Sequence, residues 1–108
     1  MEGKKVVYSP PWWYSDRGLV WRTYVMAHIL VIDDSMQIRE LLREILELEG
    51  HTVVDASDGK VGIRLHRAAP ADLIITDIVM PEKEGLETVM ELRRDFPETK
   101  IIAISGGG

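Results

Sequence analysis

From residue 28 onward, short apolar runs alternate with amphipathic stretches, and each run stops at a polar residue. His28-Ile29-Leu30-Val31-Ile32 is continuous and β-branched, as a strand covered on both faces reads, and it ends at Asp33-Asp34. Asp34 or Ser35 can cap the next helix, in which Ile38, Leu41, Leu42, Ile45 and Leu46 form a stripe expected to face a core. Gly50 sits where a helix-ending glycine belongs, and Thr52-Val53-Val54-Asp55-Ala56 reads as a second strand. After the turn Ser57-Asp58-Gly59 a weaker helix runs to about Ala69. Gly62 inside it costs about 1 kcal/mol relative to alanine, and Pro70 ends it. Asp72-Leu73-Ile74-Ile75-Thr76 is a third strand finishing at Asp77. Leu86, Val89, Met90 and Arg93 then mark a third helix, closed by Phe96-Pro97. Lys100-Ile101-Ile102-Ala103-Ile104 is the fourth strand, finishing at Ser105 before a run of glycines.

The order β-α-β-α-β-α-β predicts an α/β fold, a parallel sheet with helices on its faces and right-handed crossovers. The first part of the chain does not share this pattern. Six of the seven aromatic residues (Tyr8, Trp12, Trp13, Tyr14, Trp21, Tyr24) lie in residues 1–26, whose net charge is +2 against −7 for residues 27–108. The chain thus divides into an aromatic-rich extension, 1–26, and a body, 27–108. In the extension, Val6-Val7-Tyr8 and residues 19–25 read as strands, separated by Pro10-Pro11 and the turn signal Asp16-Arg17-Gly18.

Composition narrows the function. A chain of 108 residues, 45% hydrophobic and 29% charged, is one small folded domain. No apolar run approaches the ~20 residues of a membrane span, and Lys4-Lys5 has no apolar core behind it, so neither a membrane partner nor a secretory leader is expected. The absence of cysteine excludes a disulfide framework and a thiolate metal site, and fits the cytoplasm. A net charge of −5 argues against nucleic acid as a partner. His28, His51 and His66 show no ligand spacing and are expected to be ordinary surface or strand residues.

The chemistry lies where the strands end. Asp33, Asp34, Asp77 and Ser105 each fall just past an apolar run. In a parallel α/β sheet those ends share one edge, where ligands bind. Carboxylates brought together there repel one another, and all-oxygen donors suit a hard cation such as Mg²⁺. Three of the four also have a structural role open to them: Asp34 as a helix cap, Asp77 as a turn cap, Ser105 as part of a loop.

Asp33-Asp34 after an apolar strand, Asp77-Ile78-Val79-Met80-Pro81, Gly85, and a strand ending in Ser105 occur in an order and spacing that resembles the receiver domain of response regulators. The resemblance covers residues 27–108. It implies a flavodoxin-like sheet, of which this chain would hold strands in the order 2-1-3-4, lacking the fifth strand and the last two helices. It also implies that Asp77 is the phosphoacceptor for a histidine kinase and that the Ser105 hydroxyl binds a phosphoryl oxygen. Mg²⁺ would be held by Asp33, Asp34, Asp77 and the backbone carbonyl of Val79. Such a protein is a signalling acceptor and not an enzyme. The family's fifth-strand lysine and aromatic switch residue have no counterpart here. An open fourth-strand edge invites pairing, so a homodimer is expected, through that edge or through the N-terminal strands. The competing reading is a structural or interaction protein with a relic receiver fold and no phosphotransfer.

Overall fold

The computed structural model describes residues 26–79 and 84–104. The strands expected at 6–8 and 19–25, as well as Met80, Pro81 and Ser105, lie outside the described residues. Within them the alternation read from the sequence is present: β1 (His28–Ile32), α1 (Met36–Leu48), β2 (Thr52–Ala56), α2 (Gly59–Ala68), β3 (Leu73–Asp77), α3 (Glu84–Asp95) and β4 (Lys100–Ile104). The sheet has four parallel strands in the order β2-β1-β3-β4, as expected.

The two inner strands are apolar because both of their faces are covered. Ile29, Leu30, Val31 and Ile32 are all essentially inaccessible to solvent. Alternation along the strands sorts their side chains into two cores. Leu30, Ile32 and Ile74 pack with Ile63 of α2 and Leu92 of α3 on one face. Ile29, Val31, Leu73 and Ile75 pack on the other, against Leu42 and Leu46 of α1.

The helix ends obey local chemistry. Ser35 caps α1, its hydroxyl accepting from the Ile38 N–H at 3.2 Å. Gly50 adopts φ +95°, a left-handed conformation that glycine takes without penalty. The N–H groups of Gly50 and His51 return to the carbonyls of Glu47 and Leu46, the paired bonds of a Schellman ending. Asp58 caps α2 through the Val61 N–H at 2.9 Å.

The helical stripe expected to face the core is only partly buried. On α1 only Leu42 and Leu46 reach the sheet core, while Ile38, Leu41 and Ile45 are exposed. The flank bearing Arg39 and Arg43 leans on β2, which turns the Ile38–Leu41–Ile45 flank away from it. On α3 the buried positions are Gly85, Thr88 and Leu92, and Leu86 and Met90 are exposed. This helix begins so close to β3 that only small residues fit between them. A Cβ at Gly85 would lie 2.5 Å from the Ile78 Cα.

Candidate functional site

Three of the residues singled out in the sequence converge. Asp33 and Asp34 lie just past β1, Asp77 ends β3, and these strands are neighbours with Ile32 level with Thr76. Asp33, Asp34 and Asp77 each offer a carboxylate oxygen within 4.8 Å of the others. Proximity of this kind needs no special loop, because adjacent strands are themselves ~4.8 Å apart.

Asp33 is the most constrained of the three. It is only 6% exposed, its N–H donates to the Ala56 carbonyl at 3.1 Å, and its Oδ1 accepts from the Ser35 N–H at 2.8 Å. Burial and the charges of Asp77 and Asp34 hold its carboxyl above the ordinary value, against the opposing pull of the Ser35 N–H and the Arg39 guanidinium. Asp34 is exposed. Asp77 is half-buried, and its Oδ1 accepts from the Val79 N–H at 2.8 Å. The turn-capping role open to Asp77 is therefore realised alongside its place in the cluster, whereas the helix cap is Ser35 and not Asp34.

This donor set fits a hard divalent cation. Its oxygens come from carboxylates, one of them buried among like charges that a cation would offset. Val79 is exposed beside Asp77. Ser105 lies outside the described residues, and β4 ends with Ile104 level with Asp77.

The histidines take different roles. His28 and His51 sit at the opposite end of the strands, where His51 Nδ1 accepts from the Ala27 N–H at 3.0 Å and His28 Nδ1 lies 3.1 Å from the Thr52 hydroxyl. His66 is not a surface or strand residue. It lies on α2, 1% exposed, with its ring edge-on to Phe96 at 4.5 Å.

Sequence reasoning did not single out Arg39, which stands next to the cluster. Its Nη1 donates to the Asp33 carbonyl at 2.8 Å. Glu84 was also not singled out; its Oε2 accepts the Gly59 N–H at 2.9 Å and ties the start of α3 to the start of α2. The available signal for Arg39 is a pair of arginines, 39 and 43, spaced one helical turn apart on the flank of an otherwise apolar helix.

Comparison with known proteins agrees with the fold. The sequence profile described as "Response regulator receiver domain" matches residues 29–108. The transcriptional regulatory protein CpxR of Escherichia coli (strain K12) is 36% identical over 83 residues, 77% of this chain and 35% of that protein. The chemotaxis protein CheY of Halobacterium salinarum is 38% identical over 80 residues, 74% of this chain and 67% of that one. This chain thus spans about a third of the length of the CpxR relatives it matches. Among solved structures, the complex of histidine kinase ThkA with response regulator protein TrrA aligns at TM-score 0.71 and 38% identity, covering 77% of this chain and 72% of the matched one. NtrX from Brucella abortus aligns at TM-score 0.73 and 32% identity, covering 78% of this chain and 20% of the matched one.

Proposed function

Because this chain belongs to the response-regulator receiver family and so to two-component signalling, we propose that it accepts a phosphoryl group on Asp77 from a histidine kinase, with Mg²⁺ held at the acidic cluster. The observation that carries this reading is the convergence of Asp33, Asp34 and Asp77 within 4.8 Å at the ends of two adjacent strands.

An Asp77 carboxylate oxygen attacks phosphorus, the P–N bond of the phosphohistidine breaks, and the imidazole leaves as the aspartyl phosphate forms. The Val79 N–H holds Asp77 Oδ1 and so sets the orientation of the carboxylate plane. Asp33, Asp34 and Asp77, with the Val79 carbonyl, would hold Mg²⁺, which when bound offsets the negative charge shared by the cluster and the incoming phosphoryl oxygens. The Ser105 hydroxyl hydrogen-bonds a phosphoryl oxygen in this scheme. The aspartate is consumed stoichiometrically, so the chain is an acceptor and not an enzyme.

A kinase partner is supported by the neighbour TrrA, whose structure is that of a complex with a histidine kinase. A cytoplasmic location goes with this partner; among the described residues no helix is long and apolar enough to cross a membrane. A homodimer is supported by the exposed apolar flank of α1. Residues 1–26 form a separate extension in this proposal.

The test is a small phosphodonor with Mg²⁺, read by intact mass. One added phosphate is expected, absent in Asp77→Asn. A folded chain that takes no phosphate under saturating donor and shows no Mg²⁺ binding would establish the relic, interaction-only reading instead.

A further inference from the structure

The Asp33 backbone is held from two sides. Its N–H continues the sheet ladder to the Ala56 carbonyl at 3.1 Å, and its carbonyl accepts from Arg39 Nη1 at 2.8 Å. Arg39 is in turn flanked by Asp55 at the end of β2, with Nε 3.9 Å from Oδ1. Arg43, one turn further along α1, grips the same carboxylate at 3.0 Å and the Val53 carbonyl at 2.8 Å. The two arginines differ in setting: the Arg39 side chain is 15% exposed and that of Arg43 is 37% exposed. Only Arg39 touches the acidic loop.

Building on the proposed phosphoacceptor reading, we propose that Arg39 is the positioning residue of the Mg²⁺ site, fixing the Asp33 backbone so that the Asp33 and Asp34 carboxylates face Asp77. A planar guanidinium suits this task, since it offers several donors in a fixed fork and stays charged. Its bond goes to a carbonyl, so no carboxylate oxygen of the cluster is taken from a metal. Asp55 orients the fork from the far side and balances its charge.

Two effects of removing Arg39 oppose each other, which makes the inference decidable. Losing a positive charge near the cluster would tighten binding of a cation. Losing the clamp would weaken it, and removal of a partner that orients metal ligands typically costs about tenfold or more in affinity. Positioning therefore requires the net effect to be a loss.

The experiment is a titration of the isotope-labelled chain with Mg²⁺ alone at neutral pH, monitored by amide chemical shifts, which report the affinity and the folded state together. Arg39→Ala is expected to bind about tenfold more weakly. Arg39→Lys keeps the charge but cannot reach the Asp33 carbonyl and Asp55 at once, so it also binds more weakly than wild type. Arg43→Ala loses the same kind of helix-to-strand clamp without touching Asp33, and it is expected to stay close to wild-type affinity. Unchanged or tighter binding by folded Arg39 variants would overturn the inference and leave the phosphoacceptor reading standing. An equal loss in Arg43→Ala would also overturn it, by reducing Arg39 to general packing. Should Arg39→Ala not fold, Arg39→Lys decides: wild-type affinity there overturns the inference. Absence of Mg²⁺ binding in the wild type would overturn both readings.

Discussion

The buried ring of His66 accepts a 3.0 Å hydrogen bond at Nδ1 from the backbone N–H of Ala71. An accepting Nδ1 places the proton of the neutral ring on Nε2, which lies 3.1 Å from the Thr99 hydroxyl. The side chain thereby links α2 to the entry of β3 and to the entry of β4, the latter also gripped by its contact with Phe96.

This arrangement requires a neutral imidazole. Burial, with a smaller contribution from His28, pushes the His66 pKa below its ordinary value of 6.5. At high pH the folded and unfolded chains both carry it neutral, and it contributes no pH dependence. As pH falls below 6.5 the unfolded chain takes up a proton that the folded one refuses, so stability drops until the folded pKa is passed. The slope from this group is at most about 1.4 kcal/mol per pH unit. Urea unfolding midpoints between neutral and mildly acidic pH should fall in the wild type, and His66→Asn should lack that part of the slope.

Gly85→Ala is expected to be destabilising by about 1–3 kcal/mol, because the added methyl meets backbone and not a movable side chain. The ideal Cβ position is 2.5 Å from the Ile78 Cα and 2.6 Å from its carbonyl carbon and oxygen. Ile78 comes directly after Asp77, so relief of the clash shifts the candidate acceptor. Denaturant unfolding should show the loss, and the rate of adduct formation from a small phosphodonor should fall in the fraction that remains folded.

Asp34→Asn separates stability from metal binding. Asp34 is exposed and shares a cluster with two other carboxylates. Removing its charge relieves repulsion, so the metal-free protein should gain about 0.5 kcal/mol. Mg²⁺ affinity should fall in the same variant. Thermal melts with and without Mg²⁺ check both signs, and a variant less stable without metal would contradict the repulsion argument.

Leu41→Glu tests the outward flank of α1. Leu41 is 52% exposed and outside both core clusters, so the change should alter stability by less than about 0.5 kcal/mol. If that flank pairs with a second copy, light scattering at high concentration should show less association in the variant. Equal association would move the contact elsewhere.

Much of the fold is legible because strands covered on both faces leave no polar interruption. Ile29–Ile32 and Leu73–Thr76 stand out for that reason, and the acidic cluster is found from the polar residues that terminate these runs. The buried face of α3 is not marked by hydrophobicity, because it is set by how near two backbones come. Gly85 and Thr88 sit there on account of size, while Leu86 and Met90 face outward. His66 is missed because a lone histidine on a helix carries no mark of burial, its partners being a backbone N–H and a distant threonine. Arg39 escapes notice for a related reason: its partner is a carbonyl, which every residue type possesses.

The acidic residues sit at the ends of two adjacent strands, so the sheet acts as a gauge that sets the gap between them. Inserting or deleting a single residue within Ile29–Ile32 would slide Asp33 by about 3.3 Å and exchange the two buried faces. The connections at Gly50–His51, Ala69–Asp72 and Pro97–Thr99 lie at the other end of the strands. Length changes inside β1 or β3 should therefore displace the acidic cluster, whereas at those connections they leave its spacing unchanged and cost the local bonds of Gly50, Ala71 and Thr99.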